Sequence, residues 1–154
     1  MGEVTSVWHT GFSVADLERS IRFYVDGLGL RLRHRQTGDN EYTRQLVGYP
    51  DAVIHVAQFV IDGSPPPPSG HVLELIEYER PRGEVAEPSN SRISSGHIAF
   101  AVTDITPVAD RLKALGATFV SEPVSITEGI NAGGRTVYLR DPDGITLELL
   151  EPPL

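Results

Sequence analysis

The sequence predicts an α+β fold: two tandem βαβββ modules whose strands form a curved mixed sheet. Three observations predict it. The segment His9-x-x-Phe12-x-Val14-x-Asp16-Leu17 recurs as His97-x-x-Phe100-x-Val102-x-Asp104-Ile105 at a constant offset of 88 residues. Both repeats end alike, with Leu73-Glu74-Leu75-Ile76-Glu77 matching Leu147-Glu148-Leu149-Leu150-Glu151. Between these ends, alternating apolar runs surround a single helical stripe, which is the order of a strand, a helix and further strands. The modules span residues 1–80 and 96–154. Residues 81–95, with Pro81, Gly83, Pro88 and several Ser and Asn, read as the linker inside one overall domain.

Taken in order, Val4 to Val14 alternates as a strand, with Trp8, Thr10, Phe12 and Val14 on one face and Val7, His9, Gly11 and Ser13 on the other. Asp16 caps a helix whose apolar positions are Leu17, Ile21, Tyr24, Val25 and Leu28, and Gly27 and Gly29 stop it. Leu30 to Arg35 is the second strand, Gln36 to Arg44 a polar segment, and Ala52 to Ile61 a strongly strand-like run. Ser64 to Ser69, with four consecutive prolines, is an exposed loop between strands, and His71 to Tyr78 is the strand after it. The pattern then restarts. Gly96 to Val102 is a strand, and Thr106-Pro107 reads as an N-cap with Pro at the first helical position. Val108, Leu112 and Leu115 form the stripe of that helix, Ala117 to Val120 is a strand, and Pro123 to Gly134 a loop. Asp141-Pro142-Asp143-Gly144 is a turn pairing Val137–Leu139 with Ile145–Leu150 as the closing hairpin.

With 154 residues, 40% hydrophobic and 22% charged, the chain has the composition of a soluble globular domain with a core of its own. No apolar run reaches the length of a membrane span and the N-terminus lacks a signal-peptide pattern, so a cytoplasmic location is expected. The net charge of −8, without a basic cluster, argues against a nucleic-acid partner. The absence of Cys excludes disulfides, thiolate nucleophiles and Cys-held metals, leaving His and carboxylates as metal donors.

Alternation puts Glu148 on the strand face opposite Ile145, Leu147 and Leu149. In each repeat the first-strand His shares its face with small residues, Gly11 and Ser13 in one and Ala99 and Ala101 in the other, which leaves a hollow. If the two sheets curl toward each other, His9, Glu74, His97 and Glu148 converge in a metal cup of two imidazoles and two carboxylates. That set suits one divalent ion of Zn, Ni, Co, Mn or Fe(II).

These residues make the chain resemble the vicinal oxygen chelate superfamily of glyoxalases, epimerases, extradiol dioxygenases and bleomycin- and fosfomycin-resistance proteins. The likeness covers nearly the whole chain. It rests on the run from His9 to Tyr24, the Leu-Glu-Leu around Glu74, Gly96-His97-Ile98-Ala99-Phe100, and Asp-Pro-Asp-Gly followed by Leu-Glu-Leu at Glu148. The resemblance implies that His9, Glu74, His97 and Glu148 bind the metal, and that Glu148 and Glu74 act as base and acid on opposite faces of an enediolate. The expected function is therefore a metal-dependent lyase or isomerase/epimerase acting on a small carbonyl substrate chelated through vicinal oxygens.

Extradiol ring cleavage is the rival, since Gly129-x-Asn131 through Glu148 follows the dioxygenase signature. Asn131 stands where that signature has an acid/base His, and Glu74 would be a ligand too many. A non-enzymatic, drug-sequestering protein of the bleomycin-resistance kind needs no ligand set, so retention of four ligand types speaks against it. Arg44, Asn131, Arg135 and Tyr138 border the expected mouth as substrate-binding candidates. His55, on a face with Val53, Ala57 and Phe59, lies near the same pocket by alternation and is read as lining it rather than as a ligand. His34 and His71 fall at strand ends and read as solvated, and Glu77 and Glu151 as structural ends. Sheet edges left open by each module predict a homodimer.

Overall fold

The computed structural model describes residues 1–65 and 72–153. The prolines from 66 onward and His71 therefore lie outside the described residues. The chain divides into two compact units, Met1–Glu84 and Val85–Leu154.

The first unit holds β1 (His9–Val14), α1 (Leu17–Arg22) widening into a π-helical turn at Phe23–Gly27, β2 (Arg31–Gly38), α2 (Glu41–Val47), β3 (Val53–Val60) and β4 (Val72–Arg80). Its sheet runs in the order β1-β4-β3-β2, with β1 parallel to β4 and the other pairs antiparallel. The second unit holds β5 (His97–Ala101), α3 (Ile105–Ala114), the two-residue β6 (Thr118–Phe119) and β7 (Val124–Ser125), β8 (Arg135–Arg140) and β9 (Thr146–Glu151). Its order is β5-β9-β8-β6, with β7 also on β8 and β5 parallel to β9. The α+β class and the mixed sheets are as the sequence predicts.

Local chemistry explains each departure from the predicted elements. Residues 4–8 do not extend β1, and Trp8 is exposed. The polar segment from Gln36 to Arg44 continues β2 to Gly38 and then enters α2, because Asn40 accepts the Thr43 N–H at 2.9 Å and Gly48, at φ 77°, ends the helix in the left-handed conformation that only glycine adopts without strain. Gly38 has no room for a side chain there: an added Cβ would lie 2.6 Å from the Thr43 hydroxyl. The second-unit helix starts one residue before Thr106, with Asp104 as its cap, accepting the Thr106 N–H at 2.9 Å. Pro107 is accommodated inside the first turn, where an N–H has no helical partner to lose.

Phe23, Tyr24, Phe59, Leu17, Leu73 and Leu75 are all buried, with Phe23 and Tyr24 edge to face at 5.3 Å. In the second unit Phe100, Ile105, Leu112, Val137, Leu139, Leu147 and Leu149 are buried. Each such side chain contributes about 1.5–3 kcal/mol. Both sheets hold their helix by a carboxylate as well. Glu77 on β4 accepts the Leu17 N–H at 2.8 Å, and Glu151 on β9 accepts the Ile105 N–H at 2.8 Å. Each satisfies a donor at the first helical turn and adds negative charge where the helix dipole favours it. Among the described residues no helix is long and apolar enough to cross a membrane.

Candidate functional site

The parallel pairing of β1 with β4 sets Gly11 beside Glu74, and that of β5 with β9 sets Ala99 beside Glu148. Because strand neighbours share a face, each glutamate stands next to the histidine two residues earlier on the first strand of its own unit. His9 Nε2 lies 3.6 Å from Glu74 Oε1, and His97 Nε2 lies 3.3 Å from Glu148 Oε2. The small residues leave the imidazoles open: His9 and His97 are 38% and 45% exposed, against 12% and 18% for the two glutamates.

These separations are long for hydrogen bonds. They fall within the spacing of two donors on one ion, the first pair at its upper end, since ligands about 2.0–2.2 Å from a metal at tetrahedral or octahedral angles lie roughly 2.8–3.6 Å apart. An imidazole nitrogen and a carboxylate oxygen are also the donor types that borderline divalent ions take. The structure thus groups the four expected ligands as two pairs, one within each unit. Among the described residues no group of three or more His, Asp or Glu forms a donor set for one ion.

Each glutamate is held by a further donor on the third strand. Gln58 on β3, directly across from Glu74, donates to Glu74 Oε2 at 2.7 Å. Thr136 on β8 donates its hydroxyl to Glu148 Oε1 at 2.7 Å, while Tyr138 stands directly across from Glu148. The Tyr138 hydroxyl is 3.4 Å from His97 Nε2 and its ring meets the imidazole edge to face, with centroids 5.1 Å apart. Burial, and after it the negative charge of Glu148, push the Tyr138 phenol above its ordinary pKa of 10.0, so it remains an O–H at neutral pH.

Two of the expected border residues lie on the wrong face. His55 is paired with Glu77, three positions from the Gln58–Glu74 pair, and therefore points to the opposite side of the sheet from Glu74. It hydrogen-bonds to Thr37 at 3.0 Å and Glu79 at 3.0 Å. Arg135 is paired with Glu151, three positions from Glu148, and its guanidinium is 3.6 Å from the Glu151 carboxylate that holds α3. Arg44 sits on α2 and donates to the Asp39 carbonyl. Asn131 lies in the turn before β8, its carbonyl accepting the Gly134 N–H at 3.0 Å. His34 is in mid-strand, exposed, and bonded to Gln36 at 3.2 Å.

The profile of the Glyoxalase/Bleomycin resistance protein/Dioxygenase superfamily matches residues 6–149. The chain belongs to that superfamily. Within this glyoxalase superfamily it is 31% identical to a 2-epi-5-epi-valiolone epimerase from Actinomyces sp, over 96% of this chain and 80% of that one. It is 32% identical to a probable lactoylglutathione lyase from Vibrio parahaemolyticus, over 94% of this chain and 89% of that one. A solved glyoxalase family protein from Bacillus cereus has the same fold, with a TM-score of 0.79 at 22% identity, over 99% of this chain and 97% of that one. Gln58 and Thr136 were the polar partners missed in the sequence. Alternation alone places Thr136 on the Glu148 face, but which residue lies across from which glutamate depends on hairpin register.

Proposed function

We propose that this protein is a divalent-metal-dependent lyase or isomerase/epimerase that acts through an enediolate on a small carbonyl compound presenting two vicinal oxygens. The observation that carries this reading is the repeated His/Glu pair at donor-to-donor spacing, 3.6 Å in one unit and 3.3 Å in the other. Likeness to an epimerase and to a lactoylglutathione lyase over nearly the whole chain supports it. A single Zn, Ni, Co, Mn or Fe(II) ion held by His9, Glu74, His97 and Glu148 would supply Lewis acidity, polarising the carbonyl and acidifying the adjacent C–H.

The chain's own groups then move the proton. Glu148, held through Oε1 by Thr136, is the carboxylate that takes the proton from carbon once its Oε2 is released from its place beside His97. Glu74, fixed by Gln58, is the equivalent carboxylate of the first unit and the group assigned to return the proton. Tyr138 contributes a neutral O–H that can donate to a developing oxyanion. Dioxygenase chemistry is disfavoured by the pairing of Glu74 with His9, which adds a fourth donor, and by Asn131, an amide that carries no titratable proton.

The test is solvent deuterium uptake at the carbon next to the carbonyl, followed by NMR over a panel of α-hydroxyketones and thiohemiacetals with metal-loaded protein. Glu148→Gln should slow uptake by roughly a hundredfold or more, beyond any fall in bound metal measured on the same sample. An iron(II) form that consumes oxygen and yellows a catechol solution, with no exchange on any carbonyl, would overturn the reading in favour of ring cleavage.

A further inference from the structure

The face of the second unit that bears the His97/Glu148 pair also carries a cation with no anionic partner among the described residues. Register puts His97 beside Thr146 and Thr146 across from Arg140, so the three form one cross-strand row on the face that also bears Glu148 and Tyr138. The half-buried Arg140 guanidinium donates to the Thr146 hydroxyl and to the Asn90 side-chain carbonyl. Both acceptors are neutral. Arg31 pairs with Asp62, Arg35 with Glu18, Arg80 with Glu79 and Arg135 with Glu151, while Arg44 and Arg82, like Arg140, donate to neutral oxygens; of these three, Arg140 alone shares a sheet face with a His/Glu pair. Among the described residues no carboxylate pairs with Arg140.

Two neutral acceptors orient a guanidinium without cancelling its charge, and they engage only part of its five N–H donors. The remainder is a planar fork, the geometry that recognises carboxylate or phosphate oxygens. Two strand spacings separate His97 from Arg140, about 10 Å between backbones, which a small substrate bridges when its enolisable end lies at His97 and Glu148. The equivalent place in the first unit, two residues beyond Gln58 on the same face, is the apolar Val60.

We infer that Arg140 is the anchor for an anionic group on the substrate, so that the carbonyl compound turned over here carries a carboxylate or a phosphate ester a few atoms from the carbon that ionises. The inference rests on the proposed enolising reaction for the identity of the bound molecule, while the anion site itself is testable in protein stripped of metal. Matched probes are dihydroxyacetone phosphate, hydroxypyruvate and the neutral dihydroxyacetone, titrated into metal-free protein by NMR. Wild-type protein should bind at least one of the two anions roughly tenfold or more tightly than the neutral triose, the effect of one charge-assisted bidentate contact, and the stronger of the two identifies phosphate or carboxylate as the group. Arg140→Gln should erase that preference and leave dihydroxyacetone binding unchanged.

A side-chain readout serves even if the variant does not fold: the wild-type Nε–H signal missing from Arg140→Lys should shift saturably with the anion and not with the neutral probe. Equal binding of all three probes, a preference that survives Arg140→Gln, or an unmoved Nε–H signal overturns the inference. Failure of deuterium exchange with an intact Arg140 result sinks only the proposed reaction.

Discussion

The two units build their His/Glu pairs from the same parts and differ one strand further on. In the first, β3 faces Glu74 with an amide, Gln58, and continues the face with Val56 and Val60. In the second, β8 faces Glu148 with Thr136, Tyr138 and Arg140, bringing a hydroxyl, a phenol and a guanidinium to the corresponding positions. Each His/Glu pair sits on two parallel neighbours, an edge strand and the strand beside it, whose spacing is set by the backbone ladder and tolerates little variation. The third strand has no such duty. It is where duplicated halves can diverge without losing the pair, and the divergence makes the second unit the chemically richer of the two.

The largest effect should come from the part the units share. If both pairs serve one ion, His9→Ala and His97→Ala should each weaken metal binding by at least about a hundredfold, the upper end of what even indirect partners of a ligand cost, with a stoichiometry of one ion per chain by metal analysis. Two ions per chain, with each substitution removing one, would mean that the units bind metal independently. A smaller effect concerns the helix anchors. Glu77→Ala and Glu151→Ala should each lower stability by about 1 kcal/mol, in line with loss of an N-terminal cap, read as a drop in denaturation midpoint. Glu151→Ala should cost more, because it also strands Arg135. Equal losses would show that this ion pair contributes nothing.

The smallest effect isolates Tyr138. Its pKa is raised in the folded chain, so the stabilisation it brings is complete below the ordinary phenol value of 10.0 and is lost as pH rises through the folded value. In a spectrophotometric titration of phenolate, Tyr138→Phe should remove one component that ionises above the ordinary phenol value, leaving that of the fully buried Tyr24 in place. A curve unchanged by Tyr138→Phe would detach the phenol from Glu148.

How much of this was legible in the sequence varies with the kind of interaction. The two His/Glu pairs could be read because duplication marks them twice and because strand alternation fixes their face. Glu77 and Glu151 could be read as structural by parity alone, and they hold the two helices. His55 and Arg135 face away for one geometric reason, that a position three residues from a facing residue turns the other way: alternation groups His55 with Val53, Ala57 and Phe59 but does not say which face of β3 meets Glu74, and Arg135 borders the site only along the chain. α2 was hidden because its first turn is polar and its residues Tyr42 and Leu46 are exposed, so no apolar stripe announces it. Asp104 was overlooked as a cap in favour of Thr106-Pro107, although the repeat with Asp16 pointed to it. Arg140 could not be found by alternation alone, since its interest depends on Asn90, distant in sequence, and on the lack of a carboxylate.

The glutamates three apart on β4 and β9 have a consequence for how accurately the chain assembles. Glu74 and Glu77, like Glu148 and Glu151, point to opposite sides of one strand, the first toward its histidine and the second into the start of a helix. A strand that slipped by one residue would exchange the two sides, turning the donor carboxylate into the helix layer and withdrawing the other from the backbone N–H it satisfies. Both errors arise together and both are costly, so the anchored helix acts as a proofreader of strand alignment: a unit whose helix is seated has, by that fact, its donor facing outward before any ion arrives.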